Sequence, residues 1–244
     1  MKCGRVRLST WNLEWVERDE TERSRQAKVL ERIGADIWVL TEARPSVLPE
    51  GLQSTSSADI PSPGADLRSR ADAGCFAVVG ARDLKPLSVP ELPTAACALV
   101  PVAGETWLAL GICMPWLRNA PPLPDGTAPA AHDGPAQWRT VLTRLDAALE
   151  RLAPRVGRER VLLAGDLNQT LSDDNIGFAG GREALEKLLR RHRLRAYTAE
   201  EPSLLPDCAT VDHLCGPAVP HQVGGWPRSA TALSDHRGYT VTLH

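Results

Sequence analysis

The chain has 244 residues, of which 43% are hydrophobic, so it can bury a large core; nothing in the sequence divides it, and we expect one domain over residues 1–244. Its formal net charge of −2 excludes the strongly basic surface of a dedicated nucleic-acid-binding domain. Six widely spaced cysteines without a C-x-x-C pair exclude a zinc knuckle or a disulfide framework. The sequence starts without an apolar signal segment and has no apolar run that could span a bilayer, so we expect a soluble, cytoplasmic protein. No feature indicates a protein partner, and we expect a monomer.

The first half of the chain is predicted to be mainly strands. Period-two alternation predicts a strand over residues 6–11, and a helix over residues 20–33 follows, with Gly34 as its C-terminal stop. A solid apolar strand is predicted next, over residues 37–40. Further short strands, separated by Pro and Gly turns, are predicted over residues 75–79, 95–100 and 106–113. The segments 50–70 and 115–135 are predicted to be inserted loops.

The second half of the chain is predicted to carry two helices against a sheet. Apolar residues at three- and four-residue spacings predict an amphipathic helix over residues 137–152, and a second helix is predicted over residues 182–192. Between and after these helices, strands are predicted over residues 161–164, 210–215 and 239–243. Because strands outnumber helices and their pairing must be long-range, the pattern favours an α/β sandwich with helices outside.

The stretch from Val161 to Asn168 is the most informative segment of the chain. An apolar run ends at Gly165, and the alternation of an extended strand would then place Asp166 and Asn168 on the same side. A polar turn is the alternative, because Asp and Asn favour turns. A calcium-binding loop is excluded, because Leu171 stands where that loop needs Gly, and Gly177 where it needs Glu.

Polar side chains follow the ends of several predicted strands, in every third of the chain. They are Asn12, Glu14, Glu42, Asp166, Asn168, Asp212, Asp235 and His236. The motifs that carry them are Thr10-Trp11-Asn12, Leu40-Thr41-Glu42, Gly165-Asp166-Leu167-Asn168, Val211-Asp212-His213 and Ser234-Asp235-His236. In type and order these five motifs, which extend over nearly the whole chain, resemble the endonuclease/exonuclease/phosphatase superfamily of DNase I-like metal-dependent phosphoesterases.

The resemblance implies a four-layer α/β/β/α sandwich, in which two packed mixed β-sheets carry helices on their outer faces. It implies hydrolysis of phosphodiester bonds, with nucleic acid as the first candidate for the phosphate-ester substrate. Such hydrolysis requires a hard cation, a base and donors for the transition-state charge, and oxygen ligands without a Cys/His cluster suit Mg²⁺ or Mn²⁺. The metal ligands implied by the resemblance are Glu42, as the principal one, with Asn12, Glu14 and Asp235.

The resemblance also implies roles for four catalytic residues. Asp166 would position or deprotonate the attacking water, and Asn168 would hold the phosphate or that water. His236 would donate to the phosphoryl oxygen, while Asp212 would bond the far nitrogen of His236 and fix its tautomer. Whether Asp166 or His236 is the general base stays open, since families with this Asp/His arrangement have been assigned the His as general base as well as phosphate donor.

The middle strand departs from the family pattern at Cys113, where related proteins place a Tyr or a His. A thiol is a weak hydrogen-bond donor, so one phosphate contact is weakened. Residues with a weaker claim to contact substrate are Arg44, Cys113, Trp116, Arg118, Arg139 and Arg182.

Two other functions stay open: a phosphatase or phosphodiesterase acting on a small phosphorylated molecule or lipid headgroup, and a non-catalytic binding module on the same fold.

Overall fold

The computed structural model describes residues 5–14, 20–58, 74–116, 133–172, 175–219, 221–226 and 233–244. The strands in these residues are β1 (Val6–Asn12), β2 (Ile37–Ala43), β3 (Gln53–Ser56), β4 (Cys75–Ala81), β5 (Lys85–Pro86), β6 (Ala95–Val102), β7 (Glu105–Ile112), β8 (Val161–Asp166), β9 (Arg195–Ala196), β10 (Asp212–Gly216), β11 (His221–Trp226) and β12 (Gly238–Leu243). The α-helices are α1 (Glu20–Ile33), α2 (Gly134–Leu152) and α3 (Gly181–Arg191).

The strands form two mixed sheets of six strands each. The first has the order β11-β12-β1-β2-β4-β3 and the second the order β5-β6-β7-β8-β10-β9. Each sheet has one parallel pair at its centre, β1 with β2 and β7 with β8, whereas all other neighbours are antiparallel. A parallel pair requires a long crossover, which α1 provides in the first sheet and α2 in the second. In each parallel pair, the C-terminal ends of the two strands therefore lie side by side at the same edge of the sheet.

Three clusters of buried residues define the layers. One cluster joins the two sheets and contains small and β-branched side chains from both, such as Val39 and Ala109. A second packs α2 and α3 on the second sheet, and a third packs α1 on the first. Between the sheets, a Cβ on Gly111 would lie 2.8 Å from Cγ1 of Val39, so glycine permits their close approach there. The expected four-layer α/β sandwich is confirmed.

The structure changes several predicted boundaries, and local chemistry explains the changes. Helix α2 begins three residues earlier than predicted, because Asp133 caps it by accepting a hydrogen bond from the backbone N–H of Ala136 at 3.0 Å. The predicted loop 50–70 contains strand β3, whose polar sequence resembles a loop because the strand lies at an exposed sheet edge. Strands β5, β9 and β11 also lie at the edges and were not predicted. Residues 59–70 and 117–132 of the predicted loops lie outside the described residues. None of the helices in the described residues is long and apolar enough to cross a membrane.

Candidate active site

The amide of Asn12 connects acidic side chains from both sheets. Its Nδ2 donates to Oε1 of Glu42 and to Oδ2 of Asp166, at 3.1 Å in each case. Asn12 ends β1 and Asp166 ends β8, while Glu42 lies at the end of β2. All three side chains are buried. The C-terminal ends of β1, β2 and β8 thus converge on one polar cluster. This convergence was expected because each of the three residues follows the end of a predicted strand.

Three site residues have left-handed backbone conformations, which non-glycine residues seldom adopt. The φ angles are 48° at Glu14, 47° at Glu42 and 50° at Asn168. Such conformations cost on the order of 1 kcal/mol each and persist where surrounding contacts hold them. Asn168 is held because its backbone N–H donates to Oδ1 of Asp166 at 2.9 Å and its Nδ2 donates to the Met114 carbonyl at 2.9 Å. The chain therefore turns after β8, and this turn, rather than strand alternation, positions Asn168 beside Asp166.

Gly165 is required by the close approach of β7 to β8 just before Asp166. Its φ is 129°, and a Cβ there would lie 2.0 Å from the carbonyl oxygen of Ile112. The Asp166 carbonyl accepts a hydrogen bond from the Met114 N–H at 2.8 Å immediately afterwards. The glycine thus allows Asp166 to lie directly against the residues that follow β7.

Asp212 and His236 form a hydrogen-bonded pair beside these acids. Nδ1 of His236 lies 2.6 Å from Oδ2 of Asp212, which is buried at the start of β10. The backbone N–H of His236 donates to Oγ of Ser234, which itself donates to the Asn12 carbonyl at 2.7 Å. Trp11 also donates, from Nε1 to the His236 carbonyl at 3.0 Å. The histidine near the C-terminus is therefore fixed to the end of β1.

The burial of several acids in one place shifts their protonation equilibria. Burial, and then the negative charge of Asp212, raise the pKa of Asp166 to about 7. The two aspartates are direct cross-strand partners, an arrangement that is unfavourable for like charges. Burial also raises the pKa of Glu42, although its hydrogen bond from Asn12 opposes the shift. Burial alone would lower the pKa of His236, but the charge and hydrogen bond of Asp212 raise it well above its ordinary value, so this side chain is an imidazolium at neutral pH.

The donor atoms of the site fit a divalent cation. Ligand atoms of Glu42, Cys113 and Asp166 lie within 4.8 Å of one another. Oδ1 of Asp212 is buried without a hydrogen-bond partner in the described part of the chain, which is costly for a carboxylate unless a cation or donor meets it. The carboxylate oxygens are of the type that Mg²⁺ and Mn²⁺ prefer.

The remaining predicted metal ligands lie at the edge of this cluster. Oδ1 of Asp235 is 3.6 Å from Nε2 of His236, and its side chain is 66% exposed. The charge of Asp235 also acts on Glu42, raising its pKa. Glu14 follows Asn12 closely in the chain, and its backbone N–H donates to Oδ1 of Asn12 at 3.0 Å.

Of the weaker candidates for substrate contact, the structure places some at the site and others elsewhere. Cys113 and Trp116 lie at the site, since Nε1 of Trp116 donates to Oε1 of Glu42 at 3.2 Å. Arg44 follows β2 and lines a cleft of about 280 Å³ next to Leu13 and α1. Arg139 instead lies over the ring of Phe178, with its guanidinium carbon 4.6 Å from the ring centroid. Arg182 lies in the first turn of α3, and Arg118 lies outside the described residues.

His213 supports the site from the adjacent layer, although the sequence motifs gave it no role. It is fully buried, and burial lowers its pKa, so it is neutral. Its Nε2 lies 2.9 Å from the Gln169 carbonyl, and its Nδ1 lies 3.4 Å from Oγ1 of Thr198. His213 thereby ties β10 to the turn that carries Asn168. The sequence signal for this supporting role was that His213 directly follows Asp212 on a strand, so its side chain lies on the opposite face of the sheet.

The fold is that of the DNase I-like α/β sandwich. The chain belongs to the endonuclease/exonuclease/phosphatase family, whose model matches residues 9–236; members of this family are hydrolytic phosphoesterases and generally use divalent metal ions. The resemblance found from the five motifs is thereby confirmed. No curated protein matches the chain by sequence.

Several solved structures are similar to the chain over nearly all of its length. The AP endonuclease LMAP from Leishmania major has 11% identity and a TM-score of 0.70, covering 98% of this chain and 88% of that chain. Sphingomyelinase C from Streptomyces griseocarneus has 15% identity and a TM-score of 0.61, with 99% and 100% covered. D. rerio TDP2 complexed with a single strand DNA product has 14% identity and a TM-score of 0.57, with 99% of each chain covered. At these identities the likeness establishes the fold.

Proposed function

We propose that the protein is a divalent-metal-dependent phosphoesterase that hydrolyses phosphodiester bonds, with nucleic acid as its substrate class. The observation that carries the proposal is the bridge of Asn12 between Glu42 and Asp166, with the Asp212–His236 pair beside Asp166. A metal ligand, a base and a cationic donor are the groups that phosphate ester hydrolysis requires. The side chains proposed to supply these groups lie close together in this arrangement.

Glu42 would be the principal metal ligand, supported by Asn12, Glu14 and Asp235. When bound, Mg²⁺ or Mn²⁺ would neutralise charge on the phosphoryl oxygens. The buried Glu42 carboxylate is held in one orientation, because its Oε1 accepts hydrogen bonds from both Asn12 and Trp116. That fixed orientation suits a metal ligand, since the hydrogen-bond partners of a ligand set its direction.

Asp166 is the better candidate for the general base, and His236 for the general acid or phosphate donor. In the metal-free site, burial and the charge of Asp212 raise the pKa of Asp166 to about 7, which makes its carboxylate a stronger base than an ordinary aspartate. His236 retains its proton because of Asp212, so it can donate to a phosphoryl oxygen but cannot readily accept a proton from water. Asn168, fixed by the turn after β8, would orient the phosphate or the attacking water.

The protein's own charges at the site, before a cation binds, favour a phosphodiester over a phosphomonoester. Three buried carboxylates lie around the reaction centre, on Glu42, Asp166 and Asp212, and His236 is the cation that directly contacts one of them. A diester carries one negative charge and a monoester close to two, so repulsion from these acids is smaller for the diester. Two similar structures, an AP endonuclease and TDP2 with a DNA product, support nucleic acid as the substrate class.

The test compares hydrolysis of single-stranded DNA, abasic duplex DNA, RNA, bis-p-nitrophenyl phosphate and p-nitrophenyl phosphate. We expect the diesters to be cleaved with Mg²⁺ or Mn²⁺, and the activity to disappear in EDTA. Cleavage of p-nitrophenyl phosphate alone would refute the diester assignment, and full activity in EDTA would refute the metal mechanism. Cleavage of the small diester without any nucleic acid would point to a small phosphodiester or lipid headgroup, a candidate that the net charge of −2 favours. Binding of nucleic acid with no turnover of any substrate would indicate the non-catalytic module.

A further inference from the structure

Cys113 differs from the other buried cysteines in its surroundings. Cys75, Cys97 and Cys215 each belong to a large apolar cluster. Cys113, which follows β7 directly and is 2% exposed, groups among the described apolar residues only with Phe76. Its Sγ lies 3.8 Å from the Met114 carbonyl, a weak contact for a weak donor. The position of this thiol is therefore not explained by core packing.

The thiol of Cys113 instead faces the acids of the active site. Its sulfur and carboxylate oxygens of Glu42 and Asp166 all lie within 4.8 Å of one another. Burial, and then the charges of Asp166, Glu42 and Asp212, raise the pKa of the thiol well above its ordinary value. A thiol that keeps its proton in this way is a poor nucleophile and resists oxidation, so catalytic or redox roles are disfavoured. A coordinating metal ion can still displace the proton, because its positive charge next to the sulfur stabilises the thiolate.

The spacing of these donors suits a small, thiophilic cation. Zinc bonds thiolate sulfur at about 2.3 Å and carboxylate oxygen at about 2.1 Å, so donors around a tetrahedral ion are about 3.5 Å apart. Side-chain movement of about 1 Å would bring the three atoms from at most 4.8 Å to that separation. Soft thiolate favours Zn²⁺ and Co²⁺ over Mg²⁺, which prefers oxygen ligands.

We propose that Glu42, Cys113 and Asp166 form a mixed thiolate and carboxylate site for a thiophilic divalent cation such as Zn²⁺. This cation competes with the Mg²⁺ or Mn²⁺ of the proposed reaction for Glu42, and it occupies the carboxylate of Asp166. Zn²⁺ is therefore an inhibitor of the enzyme at concentrations that depend on Cys113. The binding of Zn²⁺ follows from the geometry alone, whereas its inhibitory effect rests on the proposed function.

The binding test is made on the full-length protein with Co²⁺ and Zn²⁺, in buffer with a reductant that does not bind metals. Wild-type protein is expected to show the near-ultraviolet charge-transfer band of a Co²⁺ thiolate, and Zn²⁺ is expected to abolish it. X-ray absorption of the Zn²⁺-loaded wild type is expected to show one sulfur ligand among oxygen or nitrogen ligands. Cys113→Ser should lose both signals, with Cys113→Ala as a second variant if Ser disturbs the fold. Cys208→Ser, which removes a partly exposed thiol, is the matched control and should keep both.

A wild-type zinc site without sulfur, or a cobalt band that persists in Cys113→Ser, would overturn the proposal. Loss of the band in Cys208→Ser would overturn it as well, because the sulfur would then come from another place. In the Mg²⁺-supported diesterase assay, Zn²⁺ should inhibit the wild type at a concentration at least ~10-fold lower than it inhibits Cys113→Ser. Each variant is compared with its own uninhibited rate. If no diesterase activity is found but the cobalt band depends on Cys113, the proposed function fails while the metal site stands.

Discussion

Replacement of Asp166 by Asn should make the fold less sensitive to rising pH. The pKa of Asp166 is raised to about 7 in the folded protein by burial and by the charge of Asp212, whereas an unfolded aspartate titrates near 3.9. A group whose pKa is raised by folding favours the folded state below its unfolded pKa, and that benefit is lost as the pH rises through the folded value. Wild-type stability should therefore fall between about pH 4 and pH 7 because of Asp166.

The magnitude follows from the size of the shift. Each pKa unit corresponds to about 1.4 kcal/mol, so a shift from about 3.9 to about 7 costs about 4 kcal/mol once Asp166 is fully ionised. Because Asp166 is 1% exposed, solvent screens this cost little. Between pH 5 and pH 8, the unfolding free energy of the wild type should fall relative to Asp166→Asn by about 2 to 3 kcal/mol. Asn also weakens one hydrogen bond from Asn12 or Asn168, but that loss is the same at every pH.

The assay is urea unfolding of both proteins in EDTA at several pH values from 5 to 8. EDTA is needed because a bound cation would lower the pKa of Asp166. The quantity of interest is the difference in unfolding free energy between variant and wild type, plotted against pH. Asp83→Asn is the control: that carboxylate is exposed, so its replacement should give a flat difference. A flat difference for Asp166→Asn as well would refute the assignment of a raised pKa, and with it the argument for Asp166 as the base.

Three further predictions concern other parts of the site. Mg²⁺ should raise the melting temperature of the wild type but hardly that of Glu42→Gln, measured by thermal scans with and without the ion; equal shifts would contradict the metal assignment. His236→Ala should fold but lower turnover of a diester substrate by at least ~10², the scale of a lost transition-state donor, and a rate near that of the wild type would remove His236 from the mechanism. Gly165→Ala should lower the unfolding free energy by more than about 3 kcal/mol, because its Cβ would lie 2.0 Å from the Ile112 carbonyl oxygen. Gly104→Ala is the matched control, since φ is also positive there but a Cβ meets open space, and a loss of about 1 kcal/mol is expected; equal losses would show that the contact is not the cause.

The sequence predicted the interior strands and helices well because their hydrophobic patterns are strong. Helix α1 was predicted with its observed bounds, and the strand around Val161 was predicted from an uninterrupted apolar run. The edge strands β3 and β11 were missed because an exposed edge needs no apolar face, and β11 contains two glycines that weaken a strand pattern. Hydrophobic periodicity therefore reports burial, and strands that are little buried give little signal.

The candidate site was predictable in its composition but not in its contacts. Motif order indicated that Asn12, Glu42 and Asp166 would meet, yet no pattern could show that one amide would bridge the two carboxylates. The contact of Trp116 with Glu42 was equally hidden, because Trp116 follows a strand that belongs to the other sheet. Such contacts depend on the relative placement of the two sheets, which no single segment encodes.

The energetic character of the site argues against the non-catalytic module. Asp166 is buried opposite Asp212, three non-glycine residues have left-handed backbones, and Oδ1 of Asp212 has no hydrogen-bond partner in the described structure. Each of these features destabilises the fold, and a surface that only binds a ligand can be built without them. A base with a raised pKa and a cation site both depend on carboxylates held together away from water, which is what Asp166 and Asp212 show. If catalysis is the reason for this cost, Asp166→Asn should lose turnover. Its unfolding free energy relative to the wild type should also be higher at pH 8 than at pH 5.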